Sequence, residues 1–156
     1  YPCSVEVKRD FGNGRVVFMP DEPDKSEYHD TFSVKGFNFL AREPNRIVDA
    51  LKWVTKRTLP LQIKHGHRYL FTELRADIEG RYLILHLVNY KPKVVLKSVE
   101  CGVRIGAKPV EEIFVISPEL SERQNIQSRV EEGVIYFTIP TLECYNVVVI
   151  KFSENR

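Results

Sequence analysis

The chain is 156 residues long, about one domain's worth, and 43% of it is hydrophobic, enough to bury a real core. Its 23 basic and 21 acidic residues leave a net charge of +2 and are spread along the chain rather than gathered in a stripe, so nucleic acid is not an expected partner. No apolar run approaches the roughly 20 residues that span a bilayer, so no membrane-crossing helix is expected either.

The chain opens on Tyr1 rather than a methionine, as expected of a segment of a longer protein. Residues 1 to about 60 hold short elements between polar, irregular stretches. SVEVKR (4–9) and RVVFMP (15–20) are β-prone runs separated by DFGNG, whose glycines suit a tight reversal, so a hairpin is predicted. DEPDKSEYHD (21–30) is acidic, proline-bearing and aperiodic, and reads as exposed loop. PNRIVDALKWVTKRT (44–58) places Ile47, Val48, Leu51 and Val54 at helical spacing, with Asn45 as N-cap and Lys56 and Arg57 in the last turn. Pro60 ends it. Trp53, the one tryptophan, sits beside this stripe and is expected to pack.

From residue 61 onward period two dominates. YLFTELRADIEGRYLILHLVNYK reads as two strands around Glu79–Gly80, which sets 78 against 81, 76 against 83, 74 against 85 and 72 against 87. One face then collects Leu70, Thr72, Leu74, Ala76 and Ile78 with Leu83, Leu85 and Leu87. The other carries Phe71, Glu73, Arg75 and Asp77 with Tyr82, Ile84, His86, Val88 and Tyr90. A slip of one residue would turn the leucines out, so the register is strongly specified. His86 falls opposite Glu73, away from the leucines, and Asn89 closes the strand, where its amide can satisfy nearby backbone groups.

Further strands are predicted at 61–66, 93–105, 111–117, 134–139 and 144–152, with turn material at 106–109, 117–133 and 140–143. VIYFTI and CYNVVVIKF are apolar on both parities, as in central strands pressed between layers. The predicted fold class is mainly β, an antiparallel β-sandwich of about seven strands preceded by a hairpin and one α-helix.

The catalytic inventory is mostly negative. There is no GxSxG, HExxH, P-loop or GxGxxG after a strand, and GNGR (12–15) is a turn because it leads into a strand. HGHRY (65–69) puts two histidines at i, i+2 with no third metal ligand evident. Cys3, Cys101 and Cys144 show no CxxC spacing; free thiols are the expectation, with a Cys101–Cys144 disulfide as the alternative. No catalytic residue, metal or cofactor is assigned.

Taken together, PCSVEVKRDFGNGRVVFMP, the helix IVDALKWV, RYLILHLVNY and VEEGVIYFTIPTLECYNVVVIKF resemble the C-terminal region of multidomain glycoside hydrolases. These resemble the beta-galactosidase family 42 group and related glycosidases, built as a TIM barrel, a glutamine-amidotransferase-like α/β domain and a terminal β-sandwich. The resemblance implies that residues 1–60 end the α/β domain, that 61–156 form the sandwich, and that the catalytic acids lie upstream. The parent would be a glycosidase and this chain a noncatalytic accessory domain serving packing, stability or oligomerisation. Its partners would be the upstream domains and a second copy. A carbohydrate-binding module is the alternative, with Tyr69, Tyr82 and Tyr90 stacking on an oligosaccharide. A third reading is an independent enzyme or immunoglobulin-like interaction domain, although the Cys-Trp-Cys order of that fold is absent.

Overall fold

The computed structural model describes residues 6–19, 44–56, 59–64, 69–91 and 93–153. The expected loop at 21–30, Cys3, Arg57, and the histidines at 65 and 67 lie outside them. The chain divides into two compact units, Tyr1–Thr58 and Leu59–Arg156.

In the first unit, β1 (Val7–Phe11) and β2 (Gly14–Phe18) form the predicted antiparallel hairpin, with Phe11 against Gly14. Gly12 takes a φ of +56° in the two-residue turn, a conformation that costs glycine least. The helix α1 (Pro44–Thr55) starts one residue earlier than the expected cap, so Asn45 lies inside the first turn. Proline suits that first position because its missing N–H would have no helical partner there. Lys56 ends the helix in the left-handed region at φ +53°. The buried face is also rotated from the expected stripe: Leu51 is 48% exposed, while Ala50 is buried and α1 packs on β2. Arg15 of β2 donates from Nη1 to the Trp53 carbonyl at 2.9 Å, and its guanidinium lies 4.7 Å from the centre of the Trp53 ring. Trp53 thus packs within this unit through a cation–π contact.

The second unit is an antiparallel β-sandwich. One sheet has the order β3-β6-β10-β9, from Leu61–Ile63, Leu96–Arg104, Val134–Leu142 and Ser128–Glu131. The other has the order β4-β5-β11-β7-β8, from Leu70–Ala76, Tyr82–Asn89, Tyr145–Phe152, Val110–Ile116 and Gln124–Asn125. Inward-facing Leu85, Leu87, Val148, Ile150, Ile113 and Val115 of the second sheet meet Val99, Cys101, Val103, Ile135, Phe137 and Ile139 of the first. Each fully buried leucine or isoleucine contributes about 1.5–3 kcal/mol of transfer free energy. The two doubly apolar runs are interior strands: β10 lies between β6 and β9, and β11 between β5 and β7.

The β4–β5 register is the predicted one: Thr72 faces Leu87, Glu73 faces His86, Leu74 faces Leu85 and Ala76 faces Leu83. The turn differs. It is a four-residue loop, closed by Asp77 N–H donating to the Tyr82 carbonyl and Tyr82 N–H donating to Asp77 Oδ1. The aspartate side chain caps the loop and opens the expected 78:81 pair, so Ile78 is fully exposed instead of joining the core.

Two segments read as turn are partly strand. Residues 117–133 contain β8 and β9, and Glu132–Gly133, both at positive φ, form a two-residue turn into β10. Pro140 lies within β10, where the ladder skips it and Ser98 but resumes at Thr141 with Lys97. A proline lacks one ladder donor, which interrupts the pairing without ending the strand.

Candidate functional site

An open cleft of about 550 Å³ lies where the β8–β9 crossover passes the four-stranded sheet, lined by outward residues of that sheet and, toward the sandwich interior, by Cys101, Phe137, Ile126 and Val115. Its floor is a row of residues in register across all four strands: Gln62 of β3, Gly102 of β6, Tyr136 of β10 and Arg129 of β9. Their neighbours along each strand, such as Cys101, Val103, Ile135 and Phe137, point into the core, so alternation places this row outside. Glycine is required beside the ring: a Cβ at Gly102 would lie 2.9 Å from Tyr136 Cε1 and 3.1 Å from Cδ1. The tyrosine ring therefore rests across the bare backbone of β6, the arrangement by which an aromatic shields a strand glycine.

One wall is the crossover from β8 to β9. Gln124–Asn125 pair with β7 in one sheet, and by Ser128 the same chain pairs with β10 in the other. Ile126 anchors the crossing, packing on the core and donating its N–H to the Ile113 carbonyl at 3.1 Å. This change of sheet leaves Gln124, Asn125 and Gln127 along the cleft. These three amides and Gln62 make no side-chain hydrogen bond among the described residues, and all four can donate and accept. The charged groups are paired, Lys64 Nζ to Glu100 at 3.2 Å and Arg129 Nε to Glu131 at 2.9 Å. The Arg129 guanidinium also lies 5.3 Å from the centre of the Tyr136 ring.

The sequence-predicted residues lie on the other sheet. Tyr69 and Tyr90 are neighbours, joined by Tyr90 N–H donating to the Tyr69 carbonyl at 2.9 Å. Tyr82 is at the far end of β5, roughly 25 Å away at strand rise. Phe71 meets Tyr90 edge-on at 84°, and Lys91 Nζ lies 4.9 Å from the Tyr69 ring centre. His86 keeps its place opposite Glu73, but its Nδ1 hydrogen-bonds the Tyr145 hydroxyl at 2.6 Å with the rings stacked. Glu73 instead accepts from Arg75. The alternative disulfide is not formed: Cys101 is a buried thiol whose pKa burial pushes up to about 12, and Cys144 is a free, exposed one in the turn before β11. Among the described residues, no three His, Cys, Asp or Glu side chains gather as metal ligands.

Strand alternation and turn signals do not single out the cleft residues. The one local signal was the amide-rich run RQNIQSR at 123–129, set among charged turn residues.

No family model matches the chain, and no curated protein matches it. Among solved structures, the chain is similar to alpha-L-fucosidase isoenzyme 2 from Paenibacillus thiaminolyticus, with a TM-score of 0.57 and 22% identity. The match covers 69% of this chain and 17% of that enzyme, a likeness of fold over a small part of a much longer protein.

Proposed function

We propose that this chain is a noncatalytic accessory β-sandwich of a glycoside hydrolase, docked through its five-stranded sheet onto a preceding domain of the same polypeptide. The observation that carries the reading is the outward face of that sheet. Antiparallel sheets that face water usually alternate polar residues outward. Here the outward positions of β5 and β11 include Ile84, Val88, Val147 and Val149, half-buried, beside exposed Phe71 and Ile116. An apolar cluster of this kind suits an interaction surface, although His86 interrupts it and Glu73, Arg75 and Lys151 border it. The fold likeness to part of a fucosidase favours a glycosidase as the parent. Glycoside hydrolysis in most families takes two carboxylates about 5–9.5 Å apart, whereas the cleft is lined by one, Glu100, which is tied to Lys64.

Two measurements test this. The chain alone is expected to turn over no nitrophenyl glycoside; turnover that Glu100→Gln abolishes overturns the noncatalytic reading. In the glycosidase polypeptide that carries this chain, Ile116→Glu is expected to lower the thermal midpoint while leaving the isolated chain's midpoint in place. An unchanged parent midpoint overturns the docking.

A further inference from the structure

We infer that the cleft on the four-stranded sheet, opposite the docking face, binds a neutral pyranose segment of an oligosaccharide. Three features point to this ligand class. First, Tyr136 is half-buried beside Gly102, whose missing Cβ leaves the ring its room, and the Arg129 guanidinium 5.3 Å from the ring centre belongs to an exposed side chain that a stacking sugar would displace. A sugar presents an apolar face of C–H groups to such a surface. Second, Gln62, Gln124 and Gln127 border the cleft as planar amides with no side-chain partner among the described residues, whereas Asn125, in register with outward-facing Phe114, shares the outer face of the five-stranded sheet. Each glutamine offers a donor and an acceptor, which matches the paired donor and acceptor roles of neighbouring sugar hydroxyls. Third, the cations of the cleft are already neutralised, Lys64 by Glu100 and Arg129 by Glu131. A polyhydroxyl ligand needs only the amides. The volume of about 550 Å³ falls within the roughly 300–1,000 Å³ of small-ligand sites, and the open form suits a chain passing across the sheet.

The row Gln62–Gly102–Tyr136–Arg129 runs across the strands, and residues 124–127 lie along the cleft.

Calorimetric titration of the whole chain with xylohexaose, cellohexaose, maltohexaose and mannohexaose tests the inference. Saturable binding to at least one is expected, weakened about tenfold or more by Tyr136→Ala. Gln127→Ala, at an exposed position that carries no packing, is expected to weaken it about threefold or more with the thermal midpoint unchanged. Tyr82→Ala and Tyr90→Ala, on the other sheet, are expected to leave affinity intact. Silence across the panel overturns the inference, as does affinity that survives both cleft variants. Loss confined to Tyr90→Ala overturns it too and would move sugar binding to the opposite sheet. Binding only of a uronic-acid hexamer, abolished by Arg129→Ala, overturns the neutral class. These outcomes are independent of hydrolysis and docking, so this inference and the accessory role can fail separately.

Discussion

Asn89 ends β5 buried, at 8% exposure, and ties two loops to the sandwich. Its Nδ2 donates to the carbonyls of Val94 at 2.6 Å and Glu143 at 2.7 Å, and its Oδ1 accepts from Lys91 N–H at 3.0 Å. The partners themselves fix the amide orientation, since two carbonyls face one end and an N–H the other. At about 0.5–1.5 kcal/mol net for each bond, with a further penalty for partners left unsatisfied, Asn89→Ala should cost about 2–4 kcal/mol. That is a large share of the roughly 5–15 kcal/mol that stabilises a domain. Asn89→Asp should be worse at neutral pH, because it sets an anion before two carbonyl oxygens. Burial and those carbonyls disfavour the charged form, so the introduced carboxyl should hold its proton more tightly folded than unfolded. The sign follows from linkage: the variant is least destabilised below the unfolded carboxyl value and loses stability as pH rises through the higher folded one. Urea unfolding followed by far-ultraviolet circular dichroism at pH 4 and pH 7 reads both effects. A loss below about 0.5 kcal/mol for Asn89→Ala, or equal penalties for Asn89→Asp at the two pH values, would refute the reasoning.

Leu87→Ala, at a position with no exposure, should cost about 2–5 kcal/mol in urea unfolding, while Ile78→Ala in the fully exposed loop should stay within about 0.5 kcal/mol. Gly102→Ala should cost about 1–3 kcal/mol by pressing on Tyr136, and the double variant with Tyr136→Ala should cost less than the two single losses summed; strict additivity would count against the contact. In a chain carrying Cys3→Ser, one thiol, that of Cys144, should react with Ellman's reagent at pH 8, and Cys101 should react only on unfolding.

The β4–β5 ladder was legible in the sequence because a one-residue slip would turn Leu83, Leu85 and Leu87 away from the side of Leu70, Thr72 and Leu74, and a short turn after Asp77 selects among the registers that keep them together. The same alternation put His86 outside and Asn89 inside. It did not reveal that Asp77 would cap the loop and turn Ile78 out, because that hydrogen bond forms only once Tyr82 is in place. Nor did it show Pro140 inside a strand, where the flanking pairs hold the chain extended across a single missing donor.

The sequence by itself determined which residues of each strand face inward, since side-chain parity is a local property of an extended chain. Which strands lie side by side was decided by the tertiary structure. Gln62, Gly102, Arg129 and Tyr136 are scattered along the chain and become one row only through the β3-β6-β10-β9 ladder. Lateral order is non-local: it emerges from closing the core between two sheets, and the cleft exists only where the β8–β9 crossover bridges them.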